Sequence, residues 1–138
     1  MGYAIGQFSK LTGLTGPTLR YYEQEGLLSV QRDAAGRRVY TEQDVEWLHF
    51  IKRLKETGMP IREIRRYAQL RYQGDSTLQE RLTMLEQHHQ TVLEERQKLE
   101  NNLHKLEEKL TFYRQALQKE ERTSCIYRQK KSPYAGNP

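Results

Sequence analysis

The chain reads as a mainly α-helical protein: a compact head of short helices with a small hairpin, then one long helix that pairs with a copy of itself. Three observations predict this. Pro17 and Gly26 bracket a short helix that a Gly-containing turn joins to an earlier one; Pro suits a first turn and Gly suits a stop. Three arginines surround a turn in Arg32-Asp33-Ala34-Ala35-Gly36-Arg37-Arg38. From Leu78 to Leu117 apolar residues alternate at four- and three-residue spacing without a slip, which is a coiled-coil seam.

In order, Ile5 to Leu11 is helix-like, Thr12-Gly13-Leu14 is a tight turn, and the segment from Thr15 to Gly26 holds the second helix. Two short helices around such a turn follow the helix-turn-helix plan, in which the second enters the major groove. Arg20, Tyr21 and Tyr22 on that helix can reach phosphates or base edges. Leu28 to Tyr40 forms two short strands, with Arg32, Arg37 and Arg38 at base and tip. Such arginines can merely solubilise a hairpin edge, but three within seven residues make a phosphate clamp, to which Tyr40 adds a hydroxyl donor. Thr41 caps a helix beginning at Glu42, and Val45, Leu48, Ile51 and Leu54 share its inner face. Met59-Pro60-Ile61 opens the next helix. Ile5, Phe8, Leu11, Leu14, Leu19, Leu27, Trp47, Ile61, Ile64 and Tyr67 complete the expected core.

Gly74 to Thr77 breaks the pattern, and both Ser76 with Gln79 and Thr77 with Glu80 fit a capping box. The seam then runs through Leu78, Leu85, Val92, Leu99, Leu106 and Tyr113 at d positions. Its a positions are Leu82, His89, Arg96, Leu103, Leu110 and Leu117; ten of these twelve residues are apolar. A helix over 76–119 would be about 66 Å long at ~1.5 Å per residue, too long to fold back on so small a head, so it needs a second copy of itself. His88 and His89, adjacent on a helix, point ~100° apart and make no chelate together; His89 reads as a packed seam residue.

The motifs Leu19-Arg20-Tyr21-Tyr22-Glu23, Gly26-Leu27-Leu28, Arg32 to Tyr40, Asp44-Val45, Ile51-Lys52-Arg53-Leu54-Lys55 and Gly58-Met59-Pro60-Ile61 occur in an order that resembles the MerR family of bacterial transcription regulators, over roughly residues 3–119. The resemblance implies a winged helix-turn-helix DNA-binding domain at 1–74, a coiled-coil dimerisation helix at 75–119 and a basic tail at 120–138. It implies that Thr15, Thr18, Arg20 and Tyr21 face DNA and that a second wing places Lys55 and Arg62 on phosphate. Further implications are an antiparallel homodimer, pseudo-palindromic promoter sites, and distortion of promoter DNA so that RNA polymerase engages both elements. Glu23 and Glu25 read as helix-surface residues or intramolecular partners of arginines, and Arg65, Arg66 and Arg71 as surface charge. Metal-sensing members of the family carry a Cys near the start of the long helix and a Cys pair after it; here only Cys125 stands near the second place, so no metal and no cofactor are expected. Cys125, near Arg122 and Arg128, is a candidate redox thiol.

Composition agrees. Of 138 residues 36% are hydrophobic and 30% charged, which favours a small core with much exposed helix. The net charge of +5 divides into +3 over residues 1–75, zero over 76–119 and +2 over 120–138. One cysteine allows no intrachain disulfide. No apolar run approaches the ~18–20 residues of a membrane span and no signal peptide is seen, so a cytoplasmic location is expected. No Gly-rich phosphate loop or nucleophile–base pair suggests an enzyme. The rival readings are an effector-independent architectural DNA-binding protein and a coiled-coil adaptor for an acidic partner.

Overall fold

The computed structural model describes residues 2–126, with side chains through Thr123. The element order is α1 (Ile5–Thr12), α2 (Gly16–Gln24), β1 (Gln31–Arg32), β2 (Arg38–Val39), α3 (Glu42–Glu56), α4 (Ile61–Gln73), a 3-10 turn (Asp75–Thr77) and α5 (Leu78–Ile126). The mainly helical fold with a small wing is thus as expected.

Local chemistry sets the boundaries. Gly13 ends α1 in the left-handed region at φ 75°, where an L side chain would be strained. Thr15 caps α2, its Oγ1 accepting the Thr18 N–H at 3.2 Å, and Pro17 occupies the first turn. Thr41 and Asp44 form a reciprocal capping box on α3. β1 and β2 pair antiparallel, Gln31 opposite Val39 and Arg32 opposite Arg38, and Tyr3 bridges to Tyr40 beside them.

Two expected details differ. The capping box at the start of the long helix is replaced by a tertiary contact: Thr77 is buried and its hydroxyl donates to the carbonyls of Leu70 and Gly74, while Arg81 donates to Thr77 Oγ1 at 3.0 Å. The long helix also continues to Ile126, past the 119 at which its seam suggests an end. Of the added residues, Glu120, Glu121 and Arg122 favour helix by intrinsic preference, and Thr123 to Ile126 extend it by one further turn.

The chain divides into a unit of residues 1–92 and a second from Leu93 on. In the first, Phe8, Leu19, Leu27, Leu28, Tyr40, Leu48, Ile51 and Ile64 are fully enclosed. Phe8 and Tyr40 stack at 4.1 Å between centroids. Trp47 lies 5.8 Å from Tyr67 and donates its indole N–H to the Leu27 carbonyl at 2.8 Å, which fixes α3 against the chain leaving α2. Leu11 and Ile61, expected inside, are exposed. The second unit is α5 alone in its described part, and most of its seam leucines are exposed.

Candidate nucleic-acid interface

At the first turn of α2, Pro17 has no N–H and Thr15 Oγ1 takes that of Thr18, which leaves the N–H groups of Thr15 and Gly16 beside the positive dipole end. Thr15 is exposed there and donates to Thr18 Oγ1 at 2.9 Å, which leaves Thr18 half-buried. One turn on, Arg20 and Tyr21 are exposed. Arg20 folds back over the helix start; its guanidinium nitrogens lie 3.5 and 3.7 Å from where a Cβ on Gly16 would stand. Tyr22 is buried instead, and its hydroxyl accepts from Lys55 Nζ at 2.9 Å. Of the two phenols, only Tyr21 faces out.

The wing is built around Asp33. Its carboxylate accepts the N–H groups of Ala35 and Arg37, each at 2.9 Å, and Gly36 turns the chain at φ 80°. Those bonds, the Arg37 backbone N–H foremost, hold the Asp33 carboxyl below its ordinary value. Arg37 pairs with Asp33 at 3.1 Å while its side chain stays 78% exposed. Arg38 and Arg32 turn toward α2: Arg38 Nε donates to Glu23 Oε1 at 2.8 Å, and Arg32 reaches Glu23 Oε2 at 3.5 Å and the Gly36 carbonyl at 3.0 Å.

Tyr40 does not belong to this surface. Its side chain is 0% exposed and its ring is stacked on Phe8, and burial raises its pKa. It is a core residue, and a hydroxyl so enclosed cannot donate to a phosphate.

The turn after α3 carries Gly58 at φ 90°, with Met59 N–H returning to the Leu54 carbonyl at 2.9 Å. Lys55 and Arg62 are exposed on either side of it. Arg62 has no ion-pair or hydrogen-bond partner among the described residues, whereas Lys55 is steadied by Tyr22.

Three arginines read as surface charge have structural partners. Arg65 donates to the Glu25 carbonyl at 3.0 Å and pairs with its carboxylate. Arg66 pairs with Glu80 at 2.9 Å. Arg71 lies 4.5 Å over Trp47 and 5.2 Å from Tyr72, whose hydroxyl accepts the Ser29 N–H at 3.1 Å. Glu23 and Glu25 are arginine partners, as their sequence setting suggests. The hub role of Glu23, joining α2 to both strands of the wing, has no sequence signal beyond the acid itself.

On α5, Leu78, Leu82, Leu99, Leu103, Leu106, Leu110 and Leu117 are 50–68% exposed, and Tyr113 is 41% exposed. Leu85 is half-buried and packs with Met84 against the head core; Val92 is half-buried and His89 exposed. His88 faces elsewhere and shares a 2.7 Å hydrogen bond with Thr57 Oγ1. Cys125 falls within α5, but its side chain lies outside the described residues, as does the tail from Tyr127. Among the described residues no helix is long and apolar enough to cross a membrane.

Residues 3–70 match the family model described as MerR HTH family regulatory protein, and residues 45–109 match one described as MerR, DNA binding. An uncharacterized HTH-type transcriptional regulator of Haemophilus influenzae is 38% identical over 117 residues, covering 84% of this chain and 87% of its own. The HTH-type transcriptional regulator AdhR of Bacillus subtilis is 40% identical over 91 residues, 65% of each chain. Among solved structures, the crystal structure of HiNmlR, a MerR family regulator lacking the sensor domain, bound to promoter DNA, superposes with a TM-score of 0.74 at 38% identity. That match covers 84% of this chain and 93% of HiNmlR.

Proposed function

Because the chain belongs to the MerR family of DNA-binding transcription regulators, which are not enzymes, we propose that it binds promoter DNA as an antiparallel homodimer in the cytoplasm. In this reading Arg20 and Tyr21 read the major groove and Thr15 and Thr18 line its approach. Arg32, Arg37 and Arg38 hold flanking phosphates, and Lys55 and Arg62 hold phosphate from the second turn. The observation that carries it is the free, exposed Arg20 and Tyr21 on the first turns of α2, flanked by a wing of arginines.

The exposed leucines of α5 supply the dimer seam. Pairing long helices antiparallel sets two heads apart along one face of the duplex, so sites are pseudo-palindromic. The dimer then bends and untwists the promoter for RNA polymerase, a cost that depends on the sequence deformed. The test is footprinting of the gene's own upstream region and the neighbouring promoter at physiological salt. Two protected half-sites with an enhanced-cleavage centre are expected. Uniform, salt-sensitive protection of any DNA would refute sequence-specific regulation.

A further inference from the structure

The wing looks strongly basic in sequence and is nearly neutral in the folded head. Its three arginines, Arg32, Arg37 and Arg38, are set against two carboxylates, Asp33 and Glu23, which leaves a net charge of +1. Asp33 belongs to the turn itself, bound to its own backbone. Glu23 does not: it comes from α2, the helix that carries Arg20 and Tyr21, and it reaches across to both strands of the wing.

A carboxylate presents two oxygens and a negative charge to a guanidinium much as a phosphate does. We propose that Glu23 is a specificity-determining residue, an internal stand-in for DNA phosphate that occupies Arg32 and Arg38 until α2 seats in the right groove. The inference rests on the reading of the wing as a phosphate clamp.

The geometry suits exchange rather than permanent locking. The side chains of Glu23, Arg38 and Arg32 are 25%, 29% and 45% exposed, so the pairs are reachable by a competing anion. The Arg32 pair is long at 3.5 Å and the Arg38 pair close at 2.8 Å, which makes Arg32 the first to be surrendered. The Arg38 guanidinium is held above its ordinary value, chiefly by the hydrogen bond it donates to Glu23. On non-specific DNA the wing offers little net charge and few counterions are released, so affinity stays low. On a proper site the contacts of α2 bring phosphate close enough to displace Glu23 from both arginines. Discrimination then arises from a charge that is uncovered only there.

The experiment compares full-length wild type, Glu23→Gln and Glu25→Gln on two probes: a random-sequence duplex and a duplex recovered by selection with the wild type. Glu25→Gln makes the same change in net charge at the C-cap of the same helix, but its acid is paired with Arg65. Glu23→Gln should tighten random-duplex binding by roughly three- to tenfold, the range expected from freeing two partly exposed pairs. Its salt slope there should steepen by about one to two units. The selected duplex should change less, so the ratio of the two affinities falls. Glu23→Asp, which keeps the charge but draws it back, should move random-duplex binding the same way by less.

Weaker binding of both duplexes by Glu23→Gln with an unchanged melting curve would overturn the proposal, leaving Glu23 as a brace for the wing. A change no larger than that of Glu25→Gln would overturn it too. Absence of salt-dependent duplex binding by the wild type would instead defeat the reading of the chain as a DNA-binding regulator, on which the inference stands.

Discussion

Leu103→Asp should dissociate the proposed dimer. Leu103 is 52% exposed on α5, so about half of its side chain remains to be buried by pairing. Full burial of a leucine contributes ~1.5–3 kcal/mol, which leaves ~1 kcal/mol per copy at this position, or ~2 kcal/mol per dimer. The seven exposed leucines and Tyr113 together supply on the order of 16 kcal/mol per dimer, and association itself costs ~4–15 kcal/mol. The surplus is modest, so one position matters. Aspartate removes the Leu103 share from both copies and adds a desolvated polar group to each, at ~1–3 kcal/mol apiece. A total of at least ~4 kcal/mol corresponds to about a thousandfold in the dissociation constant. Sedimentation equilibrium across a concentration series measures it, with Thr111→Asp, on the outer heptad face, as control. The reasoning is refuted if the wild type sediments as a monomer at micromolar concentration, or if Leu103→Asp and Thr111→Asp dimerise alike.

Arg20→Ala should weaken binding to selected DNA by about 1–3 kcal/mol and relax one position of each half-site, while Arg37→Ala should weaken all duplexes alike and flatten the salt slope by about one unit; gel shifts on matched probe sets separate the two. Tyr40→Phe should leave DNA affinity unchanged and stability equal or higher, since the hydroxyl is enclosed without a protein partner; a loss of affinity in fluorescence anisotropy would return Tyr40 to the interface. The wing should resist acid: Asp33 is depressed in the folded state, so its contribution is complete above the ordinary aspartate pKa and is lost only as pH falls through the lower folded value. Carboxyl NMR titration should show Arg37→Ala raising that value only slightly, because the backbone N–H of residue 37 is the largest cause and survives the change.

What the sequence revealed was whatever repeats or is local. The α5 seam is periodic over forty residues, and the caps Thr15 and Thr41 act on their own helices. Tyr40 was not legible for the opposite reason. A two-residue strand gives no alternation from which to tell in from out, and its place is set by Phe8 and the Tyr3 bridge, far away in the chain. Arg71 shows the same limit. It stands between Leu70 and Tyr72 with a glutamine on either side, which gives no sign of a tryptophan partner, and only the fold lays it over Trp47. Thr77 had a sound local role as a cap, and a buried pair of carbonyls competed successfully for its hydroxyl. The reading of Arg20, Tyr21 and the wing arginines came from residue type and order, whereas the counter-charge on the wing depends on a helix and a hairpin meeting in space.

Trp47 is the chain's only tryptophan, and it is buried, hydrogen-bonded to Leu27 and covered by Arg71. The head thus contains its own optical probe, one that α5 lacks. Intrinsic emission will follow melting of the head, while far-ultraviolet ellipticity will be dominated by the 49 residues of α5. If α5 pairs as proposed, dilution that separates the helices will move ellipticity and leave the emission maximum in place. Denaturant that opens the head will shift the emission to the red, so the two transitions can be resolved in one unlabelled sample.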